Sequence, residues 1–359
     1  MEIVAMNRPF WRDKRVFLTG HTGFKGGWLS LLLSDVGAEV HGFALTPPTE
    51  PNFFTVTDLP ARLASSTIAD IRDAATLTKA VQAAQPDVVL HLAAQPLVRY
   101  SYAAPVETYA VNVMGTVNLL EAVRQTPSVK AVVNVTTDKC YENREWVWPY
   151  REDEAMGGFD PYSSSKGCSE LITAAYRRCF LEPVGIHLAS ARAGNVIGGG
   201  DWAADRLIPD FLRALDAGQL FTIRSPLATR PWQHVLEPLS GYLMLAEKLY
   251  TEGQGFSEAW NFGPDEADAK PVQWIVEQLC SQMPRTAWQC DVSPQPHEAS
   301  TLRLDISKAK AHLGWRPRWN LQRALSMTLA WHQAWRKGAN MADVSLQQIQ
   351  EYEAAGGQA

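Results

Sequence analysis

The sequence predicts an α/β protein, a doubly wound parallel sheet followed by a smaller C-terminal α/β domain. Three observations predict it. Strand-like and helix-like stretches alternate one by one through the first half of the chain. A glycine cluster sits between the first strand and the first helix. The chain has 359 residues, more than the ~250–300 that one hydrophobic core usually serves. Strands separated by single helices imply right-handed βαβ units and hence a parallel sheet.

The elements follow in order. Arg15 to Thr19 is a short β-branched and aromatic run, read as a strand. Trp28 to Val36 is an apolar helical stretch stopped by Gly37. Glu39 to Leu45 is the second strand, and the three prolines of the stretch 46–52 mark a loop. Ser66 to Asp70 is the third strand. Asp73 to Ala84 has helical spacing and stops before Pro86. Asp87 to Ala93 is a buried-type strand. Val106 to Gln125 is a long helix with Val106, Val113, Val117, Leu120 and Val123 near one register. Val129 to Thr136 is a strand, Tyr162 to Phe180 a helix and Val184 to Ala191 another strand. Beyond residue 195 the rhythm breaks. Helices are expected at 204–218, 238–252, 271–280 and 307–313, joined by loops containing Pro and Trp. The boundaries that follow are a nucleotide-binding domain at 1–195, joined by a returning segment near 233–263, and a substrate domain at 196–335. Residues 336–359, rich in Ala, Gln and Gly, are expected to be a partly frayed tail.

Composition narrows the function. Hydrophobic residues make up 46 % and charged residues 20 %, which excludes a chain disordered throughout. A net charge of −5 argues against nucleic acid and anionic membrane as partners. No apolar run approaches the ~18–20 residues of a membrane span, and the first fifteen residues show no secretory pattern. The five cysteines are odd in number and lack C-x-x-C spacing, so neither a disulfide framework nor a zinc ribbon is expected, and a reducing cytoplasm is. No H-E-x-x-H and no G-x-S-x-G occurs, so metal hydrolysis and acyl transfer have no support and no metal is expected.

Two motifs carry chemistry. Gly20, Gly23 and Gly26 are spaced G-x-x-G-x-x-G, after a strand and before a helix. Such glycines allow a tight turn and let backbone approach a pyrophosphate at a helix N-terminus. Lys25 lies within this loop, facing either a phosphate or solvent. The stretch 41–46 holds neither a carboxylate for a ribose 2′-hydroxyl nor an arginine for a 2′-phosphate, so this site does not choose between NAD and NADP. The second motif is Tyr162-x-x-x-Lys166, one helical turn apart on a shared face. A nearby ammonium there is expected to lower the phenol pKa and so favour tyrosinate as a base. One βα unit upstream, Thr137, Asp138 and Lys139 bring a hydroxyl, a carboxylate and an ammonium to a strand's carboxyl end, where open α/β sheets bind ligands. His91 and His234 are expected to be structural.

In order and spacing these motifs resemble the extended short-chain dehydrogenase/reductases that act on nucleotide sugars. The resemblance runs to about residue 335 and includes 19–26, 69–71, 91–94, Thr137-Asp138, 162–166, 191–195, 261–264 and 313–317. A closer resemblance is to the CDP-glucose 4,6-dehydratase subgroup, carried by 20–28, 94–102, 136–141, 198–202 and 230–235. The dTDP-glucose dehydratases carry Glu where this chain has Lys139, so that position cannot be copied from them.

The resemblance implies a Rossmann fold, NAD as cofactor, CDP-D-glucose as substrate and a homodimer or homotetramer. It implies cofactor contacts at Gly20, Thr22, Gly23, Phe24, Lys25, Gly26, Asp70, Ile71, Leu92, Ala93, Ala94, Tyr162 and Lys166. It implies substrate contacts at Gln95, Arg99, Asn195, Arg206 and Arg230, the last at the diphosphate. Thr137, Asp138, Lys139, Tyr162 and Lys166 would be catalytic. Tyr162 would take the proton of the sugar 4-OH, Thr137 would bond the 4-oxygen and Asp138 would protonate the leaving 6-OH. Lys139 would either take the C5 proton or stabilise the enolate. A 4-epimerase shares Tyr162 and Lys166 but has no use for the Asp–Lys pair.

Overall fold

The structure, a computed structural model, describes residues 6–283, 286–291, 293 and 300–356. Twelve strands form three sheets among them. In chain order they are β1 Arg15–Thr19, β2 Glu39–Ala44, β3 Ser65–Ile68, β4 Val88–His91, β5 Ala131–Val135, β6 His187–Ala193, β7 Asn195–Ile197, β8 Phe221–Ile223, β9 Thr229–His234, β10 Ala259–Phe262, β11 Ala269–Pro271 and β12 Trp288–Cys290. The main sheet is entirely parallel, with the order β10-β6-β5-β4-β1-β2-β3. The order reverses between β1 and β4, and a ligand crevice opens at such a switch point. The fold is the doubly wound Rossmann type expected.

The central strands are buried on both faces. Val16, Leu18, Val88, Leu90, Ala131 and Val133 enter one core and Phe17, Val89 and Val132 the other. This continuous burial explains why the strands read as apolar runs rather than alternations. β10, from the segment 233–263, completes the edge of the main sheet beside β6. Beyond residue 195 a separate smaller core forms, in which Ile208, Phe211, Phe221, Trp232, Ile275 and Leu325 pack.

Several expectations are corrected. The third strand begins and ends slightly earlier, at Ser65–Ile68. The stretch 106–125 is helical but irregular, running Pro105–Tyr109, a π-turn at Ala110–Met114 and Gly115–Arg124. The next long helix likewise closes in a π-turn, Pro161–Tyr176 then Arg177–Leu181. The largest correction lies past residue 320. Helix Met341–Ala355 stands where a partly frayed tail was expected over 336–359, of which 357–359 lie outside the described residues, and helix Leu321–Arg336 precedes it. Met341, Ile349 and Tyr352 are buried in the same core as Trp28 and Trp11. Those three apolar residues fall on one helical face, and their burial outweighs the polar composition that suggested fraying.

These C-terminal helices also shape the loop at 198–202. Trp28 Nε1 donates to the Gly199 carbonyl at 2.8 Å. A Cβ on Gly199 would come within 2.1 Å of the Trp331 ring, and one on Gly200, at φ +81°, within 2.4 Å of the Phe53 ring. Trp331 stacks on Phe53 with centroids 6.1 Å apart.

Candidate active site

The glycine loop is built by close backbone approach. Gly20 has φ +81°, and a Cβ there would lie 2.8 Å from Ala93 N; one on Gly26 would lie 2.0 Å from the Gly20 carbonyl oxygen. Only glycine fits both positions. Thr19 Oγ1 accepts from Leu92 N and Ala93 N at 3.1 Å and pairs with His91 Nδ1 at 2.7 Å. It thereby ties β1 to the end of β4. His91 is fully enclosed, and burial pushes its imidazole down to about 3, so it is neutral and structural.

Helix Phe24–Asp35 starts at Gly23 with no side-chain cap and no acidic residue in its first turn. Its opening N–H groups and dipole therefore suit an anion. Near the end of β2 the His21 ring occupies the space beside Gly42, where a Cβ would lie 2.4 Å from its Cγ. Thr22 Oγ1 donates to the Leu45 carbonyl. The Asp70 carboxylate is gripped by Arg72, with Nε–O distances of 2.9 and 3.0 Å, and that bond holds its pKa down. Ile71 is buried against Gly115. The cradle at Gly20 and Gly26 and the open helix start fit a dinucleotide pyrophosphate.

Beyond the cradle lies a cleft of about 550 Å³. Thr137, Asp138, Lys139 and Tyr162 line it, and so do Asn195, Arg206, Arg230 and Arg99. Phe24 and Lys25 also reach it from the glycine loop. Gln95 does not. Its amide is spent within its own loop, donating to Thr108 Oγ1 at 2.9 Å and accepting from Leu97 N at 2.5 Å.

The sequence puts acid–base groups here by ending a buried strand in polar residues. β5 runs Ala131–Val135, and Thr137 then caps a single turn at Asp138–Cys140. Thr137 Oγ1 donates to Asp138 Oδ1 at 3.0 Å. The other carboxylate oxygen, Oδ2, is buried without a hydrogen-bond partner among the described residues. Burial raises the Asp138 pKa, against the opposing charges of Lys139 and Arg230. This is a carboxyl inclined to hold its proton.

Tyr162 departs from expectation. Burial pushes its phenol up to about 12, and the influences that lower it are the Thr137 hydrogen bond and the charge of Arg206. Lys166 was expected to do this work. Its ammonium instead donates to the Val135 carbonyl at 3.3 Å, and burial brings it down to about 8. Arg206 is held by Asp201 at 2.8 Å. Asp201 and Asp205 were not singled out from sequence. Asp205 faces both Arg99 at 3.4 Å and Arg224 at 3.5 Å. Asp201 lies in the 198–202 motif, which carried the family resemblance without assigning it a role, and Asp205 was signalled only by the density of charge in 201–206.

Beneath the site, Glu170 bonds Arg192 at 2.9 Å and also accepts from Ser190 and Thr136. Arg192 donates to Tyr141 Oη, which donates to Asn261. This buried network fixes β5, β6 and β10 under the catalytic strand end. Among the described residues no group of three His, Cys, Asp or Glu is placed to hold a metal, and no helix is long and apolar enough to cross a membrane.

Comparison with known proteins gives a consistent result. The family model for GDP-mannose 4,6 dehydratase matches residues 17–328. A CDP-glucose 4,6-dehydratase of Salmonella typhimurium is 54 % identical over 98 % of this chain and 99 % of its own length. A solved dTDP-glucose 4,6-dehydratase of Streptomyces venezuelae with NAD bound superposes with a TM-score of 0.73 and 25 % identity, covering 91 % of this chain and 99 % of that one. A UDP-glucose 4-epimerase of Thermotoga maritima reaches a TM-score of 0.75 at 22 % identity, covering 90 % of this chain and 99 % of that one, a likeness of fold.

Proposed function

This chain belongs to the GDP-mannose 4,6-dehydratase family, and on that premise we propose that it is an NAD-dependent hydro-lyase converting CDP-D-glucose to the CDP-4-keto-6-deoxy sugar. The observation that carries the reading is Asp138. It is a buried carboxyl that tends to keep its proton, with one oxygen unengaged, in the same cleft as Tyr162. A 4-epimerase needs no such acid. Near full-length identity to a CDP-glucose 4,6-dehydratase supports the choice of nucleotide.

NAD, when bound, supplies the acceptor for hydride at sugar C4 and its donor at C6. The chain's own residues do the rest. Tyr162 as phenolate takes the proton of the 4-OH, and Thr137 holds the 4-oxygen. The Arg206 charge opposes the burial that makes the phenol a weak acid. Lys166, anchored to the Val135 carbonyl, holds the cofactor's ribose. The ketone at C4 acidifies C5–H; Lys139 takes that proton, or stabilises the enolate while another base takes it, and a proton returns to C5 once C6 has received hydride. Asp138 passes its proton to the 6-OH, which leaves as water. Arg206, Arg230 and Arg99 form the cationic wall for the substrate's diphosphate.

Assembly follows from surface character. Val106 (81 % exposed), Tyr109 and Met114 on one helix, and Leu171 and Phe180 on the next, leave apolar side chains in solvent. A second copy of the chain covers them through a two-fold axis, giving a homodimer or a dimer of dimers. All five cysteines are free, which suits the cytoplasm.

The test is mass spectrometry after incubation with CDP-, dTDP-, GDP- and UDP-glucose. Loss of water from CDP-glucose is expected. An unchanged mass with an altered sugar epimer would replace this reading by 4-epimerisation.

A further inference from the structure

Helix Pro161–Tyr176 carries Tyr162 and Lys166, and one turn further on it carries Glu170. The Glu170 carboxylate is fully engaged. One oxygen accepts from the Thr136 hydroxyl, and the other accepts from Ser190 Oγ at 2.6 Å and Arg192 at 2.9 Å. The other terminal nitrogen of Arg192 goes to Tyr141 Oη at 2.8 Å and the Glu152 carbonyl at 3.0 Å. Both side chains of the ion pair are only 5 % exposed. Taking two charges out of water costs about what their attraction returns, and an apolar pair often fills such a place as well. The fold alone does not call for this carboxylate.

Its neighbour on the helix does. Lys166 is buried too, and among the described residues its ammonium has one hydrogen-bond acceptor, the Val135 carbonyl at 3.3 Å, and no ion pair. Successive turns of the helix therefore grip successive residues of the strand end. Lys166 holds Val135, and Glu170 holds Thr136, the residue before Thr137 in the cleft. The other titratable groups around Lys166 bring no negative charge. Burial pushes the Cys140 thiol up, so it stays neutral, and His91 at the end of β4 is a neutral imidazole. Tyr162 is a phenol at rest, and Lys25 on helix Phe24–Asp35 is itself a base. Burial brings Lys166 down to about 8, and the Glu170 charge is the largest influence in the opposite direction. Burial also favours the acid form of Glu170, but the Arg192 charge and the bonds from Arg192, Ser190 and Thr136 outweigh it and hold its pKa down.

We propose that Glu170 is a positioning residue of this reaction, the counter-charge that keeps Lys166 an ammonium able to hold the cofactor's ribose. The inference rests on the function proposed above, in which Lys166 holds NAD. Arg192 enters only by keeping Glu170 ionised. A neutral amine is a weaker donor than an ammonium, so loss of the carboxylate weakens the cofactor's hold without touching the cofactor.

The experiment follows Lys166 directly, in the full chain labelled with carbon-13 at lysine Cε, its resonance identified by its loss in Lys166→Met. Glu170→Gln should lower the pH at which this resonance titrates by at least about one unit, and Glu170→Asp, which keeps the charge, should lower it by less. Titrations with NAD read the same change. In Glu170→Gln the affinity should fall about fivefold at pH 8 and less than about twofold at pH 6, where the ammonium returns. An unchanged Lys166 titration would overturn the proposal. So would a loss of NAD affinity equal at both pH values, the mark of a purely structural role. Glu170→Gln leaves Arg192 buried without its partner; if it fails to fold, Glu170→Gln combined with Arg192→Met removes both charges, and the same downward shift is expected there. If the unsubstituted chain binds no NAD while Lys166 still titrates lower in the variant, the cofactor assignment falls and the pairing of Glu170 with Lys166 stands.

Discussion

The two walls of the cleft are made of different material. The sheet-side wall is backbone: a glycine turn, the carboxyl ends of β1, β4 and β5, and a few side chains locked by burial. The opposite wall is charge carried on loops, with Arg206 held by Asp201 and with Arg99 and Arg224 facing Asp205. Shape fixed by backbone is intolerant of one added methyl group. Shape fixed by the half-exposed pairs of Asp205 yields locally and costs little when one pair is lost, whereas the Arg206–Asp201 pair is largely enclosed. In the proposed mechanism chemistry belongs to the first wall and recognition to the second.

Five outcomes test that contrast, from the largest effect to the smallest. Tyr162→Phe removes the proton acceptor at C4 and should lower turnover about a thousandfold with substrate affinity nearly intact, read from kcat and KM. Asp138→Asn should lower water loss about a hundredfold or more while C4 oxidation persists, seen as reduced nicotinamide accumulating after substrate is added. In the parent protein Asp138 must be protonated to act and its pKa is raised, so the rate should fall as pH climbs through that raised value. This limb of the profile should be missing from Asp138→Asn. Lys139→Met should keep NAD binding and C4 oxidation but abolish exchange of C5–H with deuterated water; exchange at the parental rate would remove Lys139 from the mechanism.

Gly26→Ala probes the backbone wall, since its Cβ would meet the Gly20 carbonyl at 2.0 Å. NAD affinity should fall at least about tenfold, with a stability loss of about 1–3 kcal/mol in denaturant titration. The smallest effect is expected far from both walls. Glu237 is fully buried and accepts from Arg318 N, Trp319 N and Tyr352 Oη, and burial raises its carboxyl to about 7. A carboxyl whose folded pKa exceeds its unfolded value near ~4.3 stabilises fully below the unfolded value. That stability is lost as pH rises toward 7. Thermal unfolding should therefore show a falling Tm from about pH 4.5 to 7, and Glu237→Gln should flatten the fall.

The same contrast explains what could be read in advance. Strands β1, β4 and β5 were legible because both faces are buried and the runs are largely apolar. The glycine loop was legible because its spacing is dictated by backbone contact, and Tyr162 and Lys166 because helical geometry fixes their interval. The Asp201–Arg206 pair was not, since ion pairing in a loop leaves no periodic signature. That Arg206 rather than Lys166 lowers the Tyr162 pKa depends on where an ammonium finds a carbonyl, which spacing cannot tell. Helix Met341–Ala355 was missed because its face of Met341, Ile349 and Tyr352 is narrow among Gln and Ala.

The clamp on Gly199 bears on when the enzyme comes alive. Synthesis proceeds from the amino end, so Gly199 leaves the ribosome long before Trp331. Trp28 and Phe53 are already available at that moment, but one jaw of the clamp is not. Until the helix carrying Trp331 emerges and docks, the loop that leads to Asp201 lacks part of its mould, and Arg206 lacks a fixed anchor. The helix that follows the cofactor cradle shares its core with Met341, Ile349 and Tyr352, so it too waits on the last residues to emerge. Both walls are therefore completed together, which defers catalysis until the whole fold is in place.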